Sequence, residues 1–454
     1  MAFLDEEYLL ETTAAKRLYE DIRDLPILDP HSHVDVADVA RNEGWNDVWE
    51  LEGETDHYVW ELMRKRGVPE EKITGAASNR EKWRALAAVF PEFAGNPTYE
   101  WVHLDLKRRF GIETPISADT AEEIWTETKA QLDDPSMRPR ELLNEMNVEV
   151  VSSTDDPTSD LAHHRTIRSE MDDITVRPTW RPDAAMKIGA AGWREYTDTL
   201  GAATDTPVDE FSGFRDALRV SHDYFDSRGC AASDHGLRDA VSKPVSERRA
   251  ADVYERARAG EALTPADVTD FKAYLLEFVG ELNSEAGWVT QLHIGAVRDY
   301  RDSLSDSLGP DSGGDVSTQN IDLTANLEYF LNRFDGDLET VLYTVDPTHY
   351  PTLATLARAY PDVSVGAAWW FNDSPAGMAD QLEHLATVDL LANYGGMVSD
   401  SRKLISFGSR FEMFRRSLAN SVGKMVERGQ MPHAVASELV QQVAYGRPKE
   451  LWAF

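Results

Sequence analysis

Eight short apolar, β-branched runs, each ending in polar or ionisable residues, recur along the chain, and amphipathic helical patterns lie between most of them. The runs are LPILDPHSH (25–33), VEVVSSTDD (148–156), ITVRPTWRPD (174–183), GCAASDH (229–235), WVTQLHIGA (288–296), TVLYTVDP (340–347), VSVGAAWWFND (363–373) and LLANYGGMVSDSR (390–402). Stretches such as FRDALRVSHDYFDS, TPADVTDFKAYLLEFVGELNSE and AGMADQLEHLATV supply the helical spacing. A parallel strand must return through a crossover, usually a helix, and eight βα units close into a (β/α)8 TIM-type barrel. That α/β barrel is the expected fold.

The spacing departs from even in two places. Residues 35–147, between the first and second runs, are helix-rich, which predicts a helical subdomain inserted into a barrel made of 1–34 and 148–454. A chain of 454 residues exceeds the size at which one core stops growing, in keeping with an insertion. SLGPDSGGDVSTQN (306–320) reads as a loop near the barrel mouth. The start, MAFLDEEYLLETTAAKRLYEDI, reads as an acidic amphipathic helix without a signal-peptide core, and no apolar run approaches the ~20 residues of a membrane span. A cytoplasmic protein without a membrane partner is expected. Cys230 is the single cysteine, which excludes a disulfide framework and any Cys-rich zinc module. The formal charge of −34, from 80 acidic and 46 basic residues, argues against nucleic acid as a partner and suits a salty cytosol. In so acidic a chain the basic cluster Arg402, Lys403, Arg410, Arg415 and Arg416 needs a reason, and a negatively charged small-molecule substrate supplies one.

Active sites of such barrels sit at the C-terminal strand ends. Here those ends deliver His31 and His33; Asp155 and Asp156; Arg181 and Asp183; Asp234 and His235; His293; Thr344 and Asp346; Trp369, Trp370, Asn372 and Asp373; and Asp400 with Arg402. With 12 histidines in the chain, about 0.3 His-x-His pairs arise by chance, so the pair alone decides little. Residues i and i+2 of a strand share a face, however, so His31 and His33 aim together and can clamp one divalent ion, with Asp400 the obvious third ligand and an open position left for substrate. Asp400 and Arg402, again i and i+2, set a carboxylate for proton transfer beside a guanidinium for an anion. Arg181, His293 and Trp369 are candidate substrate contacts, His293 being readable also as a core histidine. In TDHYVWELMRKRG, His57 and Tyr58 can shuttle protons or donate to a developing enolate oxygen, whereas Trp60 reads as a core aromatic and Arg64 as a solvated charge. No nucleotide cofactor is expected.

The segments LPILDPHSH, ETDHYVW, KITG, GNPTYEWVHLDLKRRFGI, STDDP, RPTWRPD, GCAASDHG, QLHIGA, WWFND, SDSR and FEMFRR, in this order and spacing, resemble the uronate (glucuronate) isomerase family of the amidohydrolase superfamily along nearly the whole length. The resemblance implies interconversion of D-glucuronate with D-fructuronate and of D-galacturonate with D-tagaturonate through a cis-enediol. It implies a metal site of His31, His33 and Asp400 holding one divalent ion, zinc first and manganese or iron as alternatives, and substrate and enediol handling by Arg402, Tyr58 and His57. The C2 base stays open among Asp400, Tyr58 and His57, and a homo-oligomer is expected. Val59, Glu61 and Phe411 depart from the family pattern. Two rival readings are a mononuclear metal-dependent hydrolase or decarboxylase of the same superfamily and a sugar-acid-binding protein. The first is disfavoured for two-metal hydrolysis because no lysine follows the fourth run, the second because the polar strand ends are nearly complete.

Overall fold

The computed structural model describes residues 3–454. Among them nine strands form: β1 Ile27–Asp29, β2 Val148–Ser152, β3 Thr175–Arg177, β4 Ala232–Leu237, β5 Val289–Ile294, β6 Ala296–Val297, β7 Val316–Ser317, β8 Thr340–Thr344 and β9 Val363–Val365. One parallel sheet has the order β1-β2-β3, another β4-β5-β8-β9, and β6 pairs with β7 antiparallel. The fold is thus α/β with parallel sheets. Every residue of β5 and β8 is buried, as befits parallel strands covered on both faces.

Seven of the eight expected runs contain a parallel strand, but several are short. The first and third shrink to three residues each because Pro26 and Pro30, and Pro178 and Pro182, cannot donate to a ladder. Past β3 the pairing survives as single bridges: Trp180 pairs with Asp155 on one side and Ser233 on the other, linking the two parallel sheets. The eighth run forms no strand. Gly396 (φ +100°) and Asp400 (φ +47°) interrupt any regular ladder there. The stretch 395–401 is nevertheless hydrogen-bonded on both sides: Gly395 N–H donates to the Val365 carbonyl (2.9 Å), Asp400 N–H to that of His31 (3.1 Å), and His33 N–H to that of Ser401 (3.0 Å).

Buried Asp29 fastens this junction. Its carboxylate accepts from the Ser399 N–H (3.0 Å), the Ser399 hydroxyl (2.5 Å) and the His31 N–H (3.3 Å), so one side chain holds the backbone of both histidine- and aspartate-bearing segments.

Between β1 and β2 run seven α-helices, most with a legible start or stop. Asp35, Asp47 and Asp56 cap Val36–Arg41, Val48–Glu52 and His57–Lys65; Ser78 and Glu81 form a capping box for Asn79–Val89; Asn96 with Pro97 starts Pro97–Phe110, and Gly111 (φ +67°) ends it. Ala121–Leu132 and Pro139–Glu145 complete the set. Arg108 grips Glu412 through two hydrogen bonds (2.7 and 2.9 Å), docking this region on the helix Ser406–Glu427.

Two expectations need correction. The N-terminal helix covers only Thr13–Ile22, because the Thr12 hydroxyl caps it by accepting from Ala15 N–H, and residues 3–12 form turns instead. The 306–320 stretch is not wholly loop: it holds the end of the helix Asp302–Leu308 and strand β7. No helix among the described residues is long and apolar enough to cross a membrane.

Removing the Asp29 acceptor strands three buried donors, so Asp29→Ala is expected to lower the unfolding free energy by about 2–3 kcal/mol in urea titrations. A loss below about 0.5 kcal/mol, within the range of an ordinary surface change, would mean the junction is held otherwise.

Candidate active site

His31 and His33 follow β1, and the extended backbone turns both imidazoles toward Asp400 across the junction. His31 Nε2 and His33 Nε2 lie 3.1 and 3.2 Å from the same oxygen, Asp400 Oδ1, while Oδ2 accepts the Trp369 indole N–H (2.9 Å). Asp400 is only 7% exposed and sits in the left-handed region, a conformation that costs a non-glycine residue about 1 kcal/mol or more and is kept here by its neighbours. Burial alone would raise its carboxyl, but the hydrogen bonds from His31 and His33 hold it well below the usual carboxylate range. Two nitrogens and one carboxylate oxygen, mutually within 4.8 Å, form a group that could hold a metal ion.

A second group overlaps it beneath. His31, Asp234 and His293 also lie within that distance. His293 Nδ1 stands 2.7 Å from Asp234 Oδ1, and Asp234 Oδ2 lies 3.9 Å from His31 Nδ1. Arg181 already supplies a cation here: its guanidinium is 3.1 Å from Asp234 Oδ2 and 2.8 Å from Asp183. Against a burial that would raise it, Arg181 and then the two histidines keep Asp234 well below its ordinary value. Two buried nitrogens, His31 Nδ1 and His293 Nε2, have no hydrogen-bond partner among the described residues.

Above this floor opens a cleft of about 360 Å³, lined among others by His33, His57, Arg181, Arg298, Trp370, Asp400 and Arg402. Arg298 lies over the Trp370 ring (4.8 Å) and pairs with Asp311 (3.1 Å). The glycine-rich stretch forms one wall as expected, with Asp311, Gly313 and Asp315 lining it. It is anchored to the helix His57–Lys65: Gly314 N–H donates to Glu61 (2.9 Å), and Arg64 donates to the Ser312 carbonyl (2.5 Å). Arg64, read from sequence as a solvated charge, is in fact buried against Glu70 (2.7 Å). Asp155, Asp156, Asp183 and Lys187 line the far end.

The sequence candidates do not all reach the cleft. His33, His57, Arg181, Asp400 and Arg402 line it; His31 lies beneath, on Asp400. His293 and Trp369, expected as substrate contacts, are buried behind Asp234 and Asp400, and it is Trp370 (φ +53°), turned by the short helix Trp370–Asn372, that faces the cleft. Tyr58 stacks on His57 (4.3 Å between rings), its buried hydroxyl without a hydrogen-bond partner, beside a void of about 10 Å³ that it shares with Asp400, Arg402 and Arg410. That volume is one water's worth. Lys187 was missed altogether, because it follows a run end by four residues and carries no motif.

The basic cluster also needs correction. Lys403 is buried with Glu52 (2.9 Å) and Asp56 (3.0 Å), Arg410 pairs with Asp373 and covers Trp101, Arg415 donates to the carbonyls of Arg23 (3.0 Å) and Pro26 (2.9 Å), and Arg416 pairs with Glu412 (2.9 Å). Only Arg402 makes no ion pair or hydrogen bond among the described residues, and it is the member that lines the cleft. Four of the five cations therefore serve the fold.

An α/β scaffold whose strand ends gather two imidazoles, a deeply ionised carboxylate and an unpaired guanidinium around one cleft defines an enzyme with a candidate metal-binding group at its floor. The glucuronate isomerase family model matches residues 1–452, and the chain belongs to that family, as its motifs implied. It is 56% identical over 450 residues to uronate isomerase of Thermotoga maritima, covering 99% of each chain, and 36% identical over 465 residues to uronate isomerase of Caldicellulosiruptor saccharolyticus, covering 100% of this chain and 99% of the relative. The crystal structure of the Thermotoga maritima uronate isomerase superposes with a TM-score of 0.98 over the whole of both chains. That of glucuronate isomerase from Caulobacter crescentus, 28% identical, gives 0.95 over 100% of this chain and 97% of the other.

Burial, then the neighbouring Arg402 charge, push the His57 imidazole down to about 4, so it is neutral throughout the physiological range. NMR titration of the imidazole should show that value rising in Arg402→Met while staying below the ordinary 6.5, because burial remains. An unchanged titration would place Arg402 away from His57.

Proposed function

We propose that the chain isomerises uronic acids, D-glucuronate to D-fructuronate and D-galacturonate to D-tagaturonate, at the mouth of a (β/α)8 barrel. In this reading the two parallel sheets join through Trp180, and the stretch 395–401 takes the eighth place between β9 and the segment after β1. The helices of 35–147 form the inserted subdomain, which brings His57 to the cleft and Tyr58 to the small void beside it. The observation that carries the function is Arg402: in a chain of net charge −34, an unpaired guanidinium beside ionised Asp400 calls for an anionic substrate, such as a sugar acid.

His31, His33 and Asp400 fit one divalent ion, zinc before others given two imidazoles and one carboxylate. When bound, such an ion supplies electrostatic polarisation of a coordinated oxygen of the sugar acid. Every other part of the reaction falls to the chain. Arg402 binds the anionic end and stabilises negative charge as it develops on the enediol oxygens. The C2 proton passes to a cleft-facing base and returns at C1. Asp400 and His57 face the cleft, whereas the Tyr58 hydroxyl lies in the small void behind them, suited to donating a hydrogen bond rather than reaching carbon. Trp370 and the 311–315 stretch limit access of water.

Incubation with D-glucuronate or D-galacturonate in D₂O, followed by NMR, should show ketose with deuterium at C1. No ketose from either acid contradicts the reading. Asp400→Asn and Arg402→Met should each reduce turnover by ~10³-fold or more, the loss expected when charge stabilisation of a transition state is removed. The melting temperature should change little in Arg402→Met, whose side chain makes no ion pair among the described residues, and fall in Asp400→Asn, which weakens the bonds to His31 and His33. His57→Gln separates the two candidate bases: if it retains deuterium exchange at C2, Asp400 is the base. Metal analysis of the reconstituted protein should give one ion per chain; two ions would mean that the His31, Asp234 and His293 group fills as well, despite Arg181.

A further inference from the structure

Lys403 directly follows Arg402, yet its ammonium points into protein, 5% exposed, 2.9 Å from Glu52 Oε2 and 3.0 Å from Asp56 Oδ2. The two carboxylates belong to different helices of the 35–147 region. Glu52 ends Val48–Glu52, and Asp56 is the cap of His57–Lys65, where its other oxygen, Oδ1, accepts from the N–H groups of Tyr58 (2.9 Å) and Val59 (3.4 Å). A third buried carboxylate, Asp105 in Pro97–Phe110, also acts on Lys403 and accepts the Ser406 hydroxyl (2.8 Å) at the start of the following helix. One ammonium thus ties two helices, Val48–Glu52 and His57–Lys65, to the stretch that carries Asp400 and Arg402. Its position in the chain gives this tie a consequence beyond stability: Lys403 is the immediate neighbour of Arg402, and Asp56 that of His57, so the ion pair joins the residues flanking two groups that line the same cleft and share the small void beside Asp400.

We propose that Lys403 is a positioning residue, which through Asp56 fixes the His57–Tyr58 helix end against Asp400 and Arg402 in the geometry that proton transfer requires. The inference rests on the uronate isomerase reading for its kinetic part, while its geometric part stands apart from it. A displacement near 1 Å at a reacting centre costs about 10²-fold in rate without comparable loss of binding. Breaking the tie should therefore lower kcat far more than it raises KM.

Asp56→Asn isolates the tie. The carbonyl oxygen of Asn caps a helix as well as Asp, so the N–H groups of Tyr58 and Val59 keep their acceptor, while the oxygen facing Lys403 becomes an uncharged amide. The metal-loaded full chain carrying Asp56→Asn is expected to melt within a few degrees of wild type, to lose roughly 30- to 100-fold in kcat, and to keep KM within about threefold. Lys403→Met should show the same split, and the double variant should be no slower than the slower single, since both break one contact. If Lys403→Met does not fold, Asp56→Asn decides alone. Amide hydrogen exchange over 57–65, measured without substrate, should be faster in Asp56→Asn; this readout separates failure of the tie from failure of the uronate reading, which an inactive wild type would reveal. Wild-type kcat together with wild-type exchange in Asp56→Asn overturns the proposal, as does a lowered melting temperature with kcat per folded molecule unchanged.

Discussion

The structure turns on one carboxylate. Asp400 receives His31 and His33 on one oxygen and the Trp369 indole on the other, in a backbone conformation that no ladder imposes. Those contacts join residues some 370 positions apart in sequence, and they do so because Asp29, under the same junction, ties Ser399 to His31. A low-dielectric surrounding makes each of these bonds strong and makes each costly to lose. The candidate metal group is therefore part of the seam between the two ends of the strand array, and its geometry is as well determined as the seam.

Charge is distributed with the same economy. The chain has 80 acidic residues against 46 basic ones, yet several buried carboxylates beside the cleft are each paired with a cation: Asp234 has Arg181, Asp373 has Arg410, Glu52 and Asp56 have Lys403. Arg402 differs from these cations: it lines the cleft with no carboxylate paired to it among the described residues. The cleft carries both signs of charge, with Arg181, Arg298 and Arg402 among its cations and Asp155, Asp156 and Asp183 among its carboxylates. A sugar acid has matching character, one anionic end and a row of hydroxyl groups, which carboxylates accept well.

Much of this was readable from residues alone, and the parts that were not share a cause. The His31–His33 and Asp400–Arg402 pairs are local, two residues apart; an extended backbone carries the first spacing into space, whereas Asp400 is left-handed and shares the cleft with Arg402 outside any strand. The alternation of strand and helix is equally local. The pairing of Lys403 with Glu52, or of Arg410 with Asp373, spans hundreds or tens of residues and leaves no trace in periodicity, so a basic cluster that the sequence assigns to an anionic substrate is instead four separate anchorages and one guanidinium unpaired among the described residues. Trp369 and Trp370 show the limit at its finest: adjacent indoles are indistinguishable in sequence, and a single left-handed residue decides which of them faces the cleft. The eighth run likewise had the composition of a strand, but Gly396 and Asp400 take backbone angles that no ladder accepts, and the hydrogen bonds to both neighbours are made without one.

The central claim is that one ion at His31, His33 and Asp400 and one anion at Arg402 together define the substrate's orientation. A crystal structure of the metal-loaded Asp400-intact chain soaked with D-glucuronate, with anomalous data at the metal edge, tests it most directly. The account predicts a single anomalous peak bounded by those three ligands, with the sugar carboxylate toward Arg402 and the hydroxyls toward Asp155, Asp156 and Asp183. A peak instead among His31, Asp234 and His293, or a sugar carboxylate at the acidic wall, would contradict it.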